Sequence, residues 1–167
     1  IVEKLDRGPV LSSKAIELNK EKTYGEIEKE LSVMGADLLI ESLENLKKGK
    51  VNFLEQVHSE ATYAKKINKE ETKIKWNLDP DKVISHIHGL SPNPGAWFEY
   101  ENERYKVLRA KKSLMSGNPG TIIDENLVIA CQSKSVQILE LQRQGKNIQS
   151  TKEFLLGKKI KKGSVLN

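Results

Sequence analysis

The apolar residues between Thr23 and Gly49 recur every three or four positions, and this spacing constrains the fold more than any other feature of the chain. Such spacing predicts a long α-helix with one buried face. Thr23 and Glu26 form a capping box, in which each side chain accepts a hydrogen bond from a backbone N–H at the helix start. Gly49 is typical of the position just after a helix. The apolar positions are Tyr24, Ile27, Leu31, Met34, Leu38, Leu39, Leu43 and Leu46.

The segments that flank this helix differ in character. Val2–Leu18 predicts a strand, a turn at Asp6–Pro9 and a second strand. Val57–Lys75 lacks apolar periodicity and is rich in charge, which is typical of a linker.

The second half predicts one helix followed by short strands. Asp79 is a good N-cap and Pro80 suits the first helical position, so a helix is expected to begin there and to end at Gly89. The short alternating runs that follow favour a small closed β-barrel. Ser150 and Glu153 form a second capping box, which predicts a short terminal helix. The predicted strands are residues 97–100, 104–108, 121–123, 127–130 and 136–141.

Composition excludes several classes of protein. A hydrophobic content of 37% is enough for a core. No apolar run reaches the roughly 18 residues that a membrane-spanning helix needs, so an integral membrane protein is not expected. Cys131 is the single cysteine and sits in an apolar stretch, which predicts a buried thiol. This cysteine usage fits a reducing cytoplasm.

The positive charge is concentrated in the second part of the chain. Residues 1–57 hold 9 Lys and Arg against 11 Asp and Glu, whereas residues 58–167 hold 19 against 12. This asymmetry suggests a polyanionic partner, with nucleic acid as the first candidate. A solvated, lysine-rich surface explains the charge equally well.

Metal chemistry is not expected from the pattern of histidines. His86 and His88 are two positions apart on the predicted second helix, so they point to different sides and cannot hold one metal ion together. Together with His58 they are interpreted as surface or packing residues.

Two motifs in the middle of the chain resemble the methionyl-tRNA formyltransferase family. Ala61–Ile67 reads A-T-Y-A-K-K-I and is followed by charged residues and Trp76, which is similar to the family's inter-domain linker. Pro94–Trp97 reads P-G-A-W and is similar to the element that opens the family's second domain.

A third motif, Leu5–Val10, resembles the L-D-x-G-P-[VI] segment of folate-dependent formyltransferases. The resemblance implies that Asp6 is catalytic and completes an Asn-His-Asp set, in which it orients the His and an ordered water. The matching Asn and His are not in this sequence, so the chain is expected to be an inactive C-terminal portion of the enzyme. Lys4 stands where the family usually has Gly, and Arg7 where it often has Thr.

The resemblance also implies an architecture of α/β followed by all-β. Residues 1–57 are expected to be the end of a Rossmann-like formyltransferase domain, a hairpin plus the long helix. Residues 58–75 are expected to be a basic inter-domain linker, and residues 76–167 an OB-like β-barrel that binds tRNA. The implied reaction transfers formyl from 10-formyltetrahydrofolate to the α-amino group of initiator methionyl-tRNA, in the cytoplasm and without a metal, by an enzyme expected to be monomeric.

Basic residues of the linker and the barrel are the predicted tRNA contacts, because phosphate neutralisation supplies most sequence-independent affinity. In an unbroken strand, Arg109 and Lys111 would share one face, with Lys106 and Lys112 on the other. The predicted cluster is Lys65, Lys66, Lys69, Lys73, Lys75, Arg104, Lys106, Arg109, Lys111 and Lys112.

Two other functions compete with this interpretation. One is another enzyme that uses 10-formyltetrahydrofolate, such as a sugar-amine formyltransferase or a formyltetrahydrofolate hydrolase. These enzymes share the L-D-x-G motif but are not expected to share both the linker and the basic barrel. The other is a standalone OB-like RNA-binding module, which would have no use for residues 1–57.

Overall fold

The computed structural model describes residues 2–166. The chain divides into two compact units, one made of Ile1–Leu18 and Ile27–Lys66, the other of Asn19–Glu26 and Ile67–Asn167. Each unit is described by itself below. The domain boundaries expected from the sequence stay predictions.

The long helix is confirmed. Helix α1 spans Tyr24–Lys47, and its capping box forms as expected, with Thr23 N–H donating to Glu26 Oε2 (2.7 Å) and Glu26 N–H donating to Thr23 Oγ1 (3.4 Å). Gly49, just beyond the helix, adopts a φ of 65°, a conformation that glycine takes at little cost.

The apolar face of α1 is not buried as the spacing predicts. Leu39 is 59% exposed and Leu43 is 57% exposed, whereas Ser42 is buried. The physical reason is that the rest of the first unit contains little regular structure that could cover a helix of this length.

The strand–turn–strand prediction for Val2–Leu18 is wrong. One antiparallel bridge joins Val10 to Leu54, through Val10 N–H to Leu54 O (2.8 Å) and Leu54 N–H to Val10 O (2.9 Å). A strand needs a neighbouring strand to pair its backbone groups, and this segment meets such a neighbour at one position. Short 3₁₀ turns occur at His58–Glu60 and Glu70–Thr72.

Helix α2 of the second unit spans Pro80–Leu90. Asp79 caps it, accepting a hydrogen bond from Asp81 N–H at 2.9 Å. The helix buries Val83 and Ile87 in the core. The predicted start is confirmed, and the helix ends one residue beyond the predicted Gly89.

An antiparallel sheet forms the body of the second unit. Four strands lie in the order β1-β2-β4-β3, and β5 also pairs with β4. A short helix, α3, follows β5 and carries the predicted capping box, with Glu153 N–H donating to Ser150 Oγ at 3.2 Å. The strands are β1 Ala96–Tyr100, β2 Glu103–Ser113, β3 Val128–Ala130, β4 Ser135–Arg143 and β5 Ile148–Ser150, and α3 is Thr151–Gly157.

Two strand predictions differ from the structure. Residues 121–123 form isolated bridges, Thr121 with Val165 and Ile122 with Ile129, instead of a strand. Conversely, Ile148–Ser150 forms β5, which is too short and too polar to be recognised from its residues. Closure of the sheet into an OB-like barrel stays a prediction.

Four aromatic rings contact one another in the core of the second unit. Phe98 and Tyr105 stack at 5.4 Å between ring centroids, and Tyr105 meets Phe154 edge-on at 5.8 Å. Trp76 meets Phe98 edge-on at 6.1 Å. Cys131 is also buried, as predicted, and burial raises the pKa of its thiol to about 11.

A β-bulge interrupts the pairing of β2 with β4 near Leu108, and the register shifts on both sides of Arg109. Tyr105 and Val107 are fully buried before the bulge, and Ala110 is buried after it. The alternation of inward and outward side chains therefore shifts by one residue along β2.

Candidate nucleic-acid interface and the Asp6 turn

Asp6 lies on an exposed turn of the first unit and has a φ of 58°. Asp is one of the few residues that visits this left-handed region readily. The Gln56 side-chain amide holds the turn, with Nε2 donating to the carbonyl oxygens of Asp6 (3.1 Å) and Gly8 (2.5 Å). The Asp6 carboxylate is thus presented on a backbone turn that a residue 50 positions away helps to hold.

The predicted basic residues of the linker are divided between the two units. Lys65 and Lys66 close the first unit, whereas Lys69, Lys73 and Lys75 belong to the second. All are exposed except Lys73, which is partly buried. The predicted cluster is therefore not a single patch within either unit.

Trp97 joins the end of the linker to the sheet. Its indole N–H donates to Thr72 Oγ1 at 2.9 Å, and Ile74 N–H donates to the Trp97 carbonyl oxygen at 2.8 Å. The Arg104 guanidinium lies over the ring at 3.9 Å from its centroid, and Lys73 Nζ lies at 5.6 Å. Because a cation covers the ring, we interpret Trp97 as a structural residue that positions Arg104.

The bulge changes which basic residues of β2 share a face. Lys106 before the bulge, and Arg109 and Lys111 after it, alternate with the buried positions. They therefore lie on the side away from the core, whereas an unbroken strand would separate Lys106 from the other two. The face expected from simple alternation was wrong for this reason.

Arg109 is largely engaged within the second unit. Its guanidinium donates to Glu26 Oε1 (2.7 Å) and to the Glu21 carbonyl oxygen (3.1 Å), and lies 4.0 Å from Glu140. The hydrogen bond from Thr23 N–H, together with Arg109, lowers the pKa of Glu26. An arginine that is paired in this way has less capacity for phosphate.

Lys112 is paired too, with Asp81 Oδ2 at 2.9 Å. This hydrogen bond lowers the pKa of Asp81 and raises that of Lys112. The ion pair largely neutralises the charge of Lys112, so this residue is also a weak candidate for a phosphate contact.

His88 has a role that its sequence position does not reveal. The imidazole is buried, Nε2 accepts a hydrogen bond from Ala110 N–H (3.2 Å), and Nδ1 lies 3.0 Å from the Lys20 carbonyl oxygen. These partners assign the proton to Nδ1. His88 therefore supplies a hydrogen-bond acceptor to the backbone N–H of Ala110 in β2. This contact agrees with the interpretation of His88 as a packing residue.

The remaining part of β2 borders a polar groove of about 570 Å³. Arg143 forms one wall, where its Nε donates to Glu103 Oε1 at 2.7 Å, and the Tyr105 hydroxyl donates to Glu103 Oε2 at 2.7 Å. The hydrogen bond from Arg143 lowers the pKa of Glu103, and burial raises that of Tyr105. The groove is lined by Glu99, Asn102, Arg104, Lys106, Gln142, Arg143, Gln144 and Gly145.

Sequence reasoning identified Arg104 and Lys106 of this groove but missed Arg143 and the polar residues that line it. The missing information is the register that places Lys106 opposite Gln142 and Tyr105 opposite Arg143. Nothing in the local sequence of β4 signals that pairing.

Among the helices of residues 2–166, none has the length and apolar character needed to cross a membrane. Within the same described residues, no three His, Cys, Asp or Glu side chains come together in a way that could hold a metal ion.

Comparison with known proteins identifies the class of this chain. Residues 66–159 match the family described as formyl transferase, C-terminal domain, and the chain belongs to that family.

Two curated relatives of this chain carry the same name. The chain is 43% identical to the methionyl-tRNA formyltransferase of Pelagibacter ubique (strain HTCC1062) over 165 residues, which cover 98% of this chain and 53% of that protein. It is 40% identical to the methionyl-tRNA formyltransferase of Chelativorans sp. (strain BNC1) over 168 residues, which cover 98% of this chain and 54% of that protein. The chain thus spans about half the length of the curated relatives it matches.

Among solved structures, HypX from Aquifex aeolicus in complex with tetrahydrofolic acid is similar, with a TM-score of 0.71 and 19% sequence identity. The similarity covers 92% of this chain and 28% of that one. At this identity the likeness shows a shared fold.

Proposed function

We propose that the chain is the C-terminal portion of a methionyl-tRNA formyltransferase. The full enzyme would transfer a formyl group from 10-formyltetrahydrofolate to the α-amino group of initiator methionyl-tRNA. The observation that carries the proposal is the 43% identity to such an enzyme over 98% of this chain. The three sequence motifs, Leu5–Val10, Ala61–Ile67 and Pro94–Trp97, lie within the matched residues and support it.

The proposed organisation assigns residues 1–57 to the end of a Rossmann-like catalytic domain and residues 58–75 to the linker. Residues 76–167 are assigned to an OB-like barrel that binds tRNA. The antiparallel sheet of the second unit supports the barrel, and the basic excess of this half of the chain supports tRNA as the partner. We further propose that the enzyme is cytoplasmic and monomeric.

Asp6 is the proposed catalytic residue of this portion. In the reaction an amine attacks the formyl carbon, and protons must leave the amine and reach the folate nitrogen. A carboxylate can orient a neighbouring His for that transfer and support the charge that the His acquires. The turn held by Gln56 supports such a role for Asp6.

Donor binding requires more than the described residues of this segment. The Asp6 turn offers an exposed carboxylate, and one exposed turn cannot enclose a ligand as large as 10-formyltetrahydrofolate. We assign the donor site mostly to other parts of the full-length protein.

The full-length protein that contains this chain provides the test. It is expected to formylate initiator methionyl-tRNA with 10-formyltetrahydrofolate and to leave a nucleotide-sugar amine unmodified. Activity on the sugar amine alone would favour a sugar-amine formyltransferase instead. No transfer to either acceptor, with release of formate from 10-formyltetrahydrofolate, would favour a formyltetrahydrofolate hydrolase; no turnover of the donor at all would favour the RNA-binding module.

Substitution of Asp6 tests the site. Asp6→Asn is expected to lower kcat roughly 10²–10⁴-fold, the range for lost acid–base assistance, with little change in tRNA affinity. Glu3→Gln is the matched control, because Glu3 is an exposed carboxylate of the same segment. An Asp6→Asn enzyme as active as the control would refute the assignment.

A further inference from the structure

The Asp6 turn lies beside a very short antiparallel pairing in the first unit. Val10 and Leu54 exchange both backbone hydrogen bonds, at 2.8 and 2.9 Å. In an antiparallel ladder a pair of this kind recurs at every second residue, so the next one would join Gly8 with Gln56. Within residues 2–166, the backbone bridges do not continue to that pair. The Gly8 carbonyl oxygen is therefore left for another donor.

The Gln56 side chain supplies that donor. Its Nε2 donates to the Gly8 carbonyl oxygen at 2.5 Å and to the Asp6 carbonyl oxygen at 3.1 Å. A side-chain amide has two N–H groups, so one nitrogen can serve both acceptors. The two carbonyls lie on either side of Arg7 in the chain. One glutamine therefore holds both ends of the turn, which a backbone N–H, with its single hydrogen, is less suited to do.

Asp6 is the residue whose conformation this contact constrains. Its φ of 58° lies in the left-handed region, which L-residues populate at a cost. A residue persists in such a conformation when the surrounding structure holds it there. The Asp6 carbonyl oxygen is bonded to Gln56, and this carbonyl is attached to the same Cα atom as the carboxylate side chain. The hydrogen bond therefore restricts the part of the backbone from which the carboxylate projects.

The contact contributes more to geometry than to stability. Gln56 and Asp6 are both exposed, and hydrogen bonds to water compensate for much of what is lost when an exposed hydrogen bond breaks. The Val10–Leu54 bridge does not involve the Gln56 side chain. A catalytic group, by contrast, loses much of its effect when it is displaced by as little as about 1 Å. Loss of the Gln56 amide should therefore affect the rate of a reaction at Asp6 far more than it affects folding.

We propose that Gln56 is a positioning residue for formyl transfer, whose side-chain amide holds the Asp6 turn so that the carboxylate is directed at the histidine it orients. The proposal rests on the proposed function and deepens it, because it adds a second residue of this chain to the same site. The two carbonyl oxygens occupy the Gln56 donors. Gln56 therefore acts through Asp6 and not on the reacting atoms.

Steady-state formyl transfer by the full-length protein measures the effect. Gln56→Met removes both donors and keeps the length of the side chain. It is expected to lower kcat roughly 10–100-fold, the cost of a misplaced group, while the KM for methionyl-tRNA and the Tm stay nearly unchanged. Glu55→Gln, at the adjacent exposed residue, is the matched control and is expected to keep the wild-type kcat. A Gln56→Met enzyme with the same kcat as this control would overturn the inference.

A double-mutant cycle with Asp6→Asn distinguishes positioning from a general structural role. If Gln56 acts through the Asp6 carboxylate, Gln56→Met has little left to disturb once that carboxylate has been replaced. It should then change kcat by less than about twofold in the Asp6→Asn protein. An equal loss of kcat with and without the Asp6 carboxylate would show that Gln56 supports the unit as a whole, and the positioning role would be refuted.

The outcomes separate this inference from the proposed function. If the wild-type protein formylates methionyl-tRNA and Asp6→Asn is impaired, but Gln56→Met is as active as Glu55→Gln, the positioning role alone fails. If Asp6→Asn is fully active, the assignment of Asp6 fails and the role of Gln56 fails with it. If the wild-type full-length protein does not formylate methionyl-tRNA, the proposed function itself fails.

Discussion

Replacement of Gly25 by Ala should destabilise the protein, although the residue lies in a helix. Ala is favoured over Gly by about 1 kcal/mol in helix interiors, so intrinsic propensity alone predicts a gain. In the structure, however, a Cβ atom at Gly25 would lie 2.6 Å from Cδ of the Pro92 ring. Gly25 N–H also donates to the Ser91 carbonyl oxygen at 2.9 Å, which holds the two backbones together.

The magnitude follows from these two opposing effects. A proline ring carbon cannot move aside as a flexible side chain would, so the clash must shift the backbone near Ser91, at a cost of about 1–3 kcal/mol. After the propensity gain is subtracted, Gly25→Ala is expected to lower the free energy of unfolding by about 1 kcal/mol. This change corresponds to a loss of roughly 2–4 °C in Tm for a chain of this size.

Gly35→Ala is the matched control. Gly35 lies in the same helix, and a Cβ atom there would have no heavy atom within 4 Å. This substitution should stabilise helix α1 by up to about 1 kcal/mol. Urea unfolding, followed by tryptophan fluorescence for the second unit and by circular dichroism for the helix, measures both. Equal stabilisation by the two variants would refute the argument from close packing.

Two further predictions concern titrating groups. Since burial raises the pKa of Cys131 to about 11 and leaves the residue 1% exposed, a thiol reagent at about pH 8 should label the folded chain far more slowly than the chain in urea. Rapid stoichiometric labelling of the folded chain would contradict this. Burial lowers the pKa of His86 from 6.5, because the folded protein disfavours the charged imidazole. The contribution of neutral His86 to the free energy of unfolding should therefore be complete above about pH 6.5 and be lost as the pH falls toward the lowered pKa. Urea unfolding at about pH 7.5 and about pH 5.5 should therefore show a larger loss for the wild type than for His86→Gln, whereas equal losses would argue against a role for His86.

Features that depend on neighbouring residues were predictable from the sequence. The Thr23 capping box, the Asp79 cap and the Ser150 capping box all form as their residue types and spacings indicate. A cap is a contact between residues two or three positions apart, so the sequence contains everything that it needs.

Features that depend on distant partners were not predictable in this way. The extended pattern of Val2–Leu18 did not produce a β-ladder, because within this segment only Val10 forms a β-bridge, with Leu54. The ion pair of Arg109 with Glu26 joins residues 83 positions apart, and no local sequence pattern indicates that these two residues meet. The bulge at Leu108 likewise depends on the register with β4 and decides which basic side chains lie together.

The candidate site shows the same division. Asp6 and the basic residues could be proposed from motifs and charge, but the polar partners in the groove could not. Glu99 illustrates the difference, since only the strand register shows that it lies opposite Arg104.

The bond from Gln56 to the Asp6 turn also bears on how the protein is made. Gln56 and Asp6 are 50 positions apart, and synthesis proceeds from the N-terminus. While the chain is still emerging from the ribosome, the turn that carries Asp6 therefore lacks its support until helix α1 has been synthesised and the chain has returned to residue 56. The catalytic segment proposed here would thus mature only after the 50 residues that follow it have been translated.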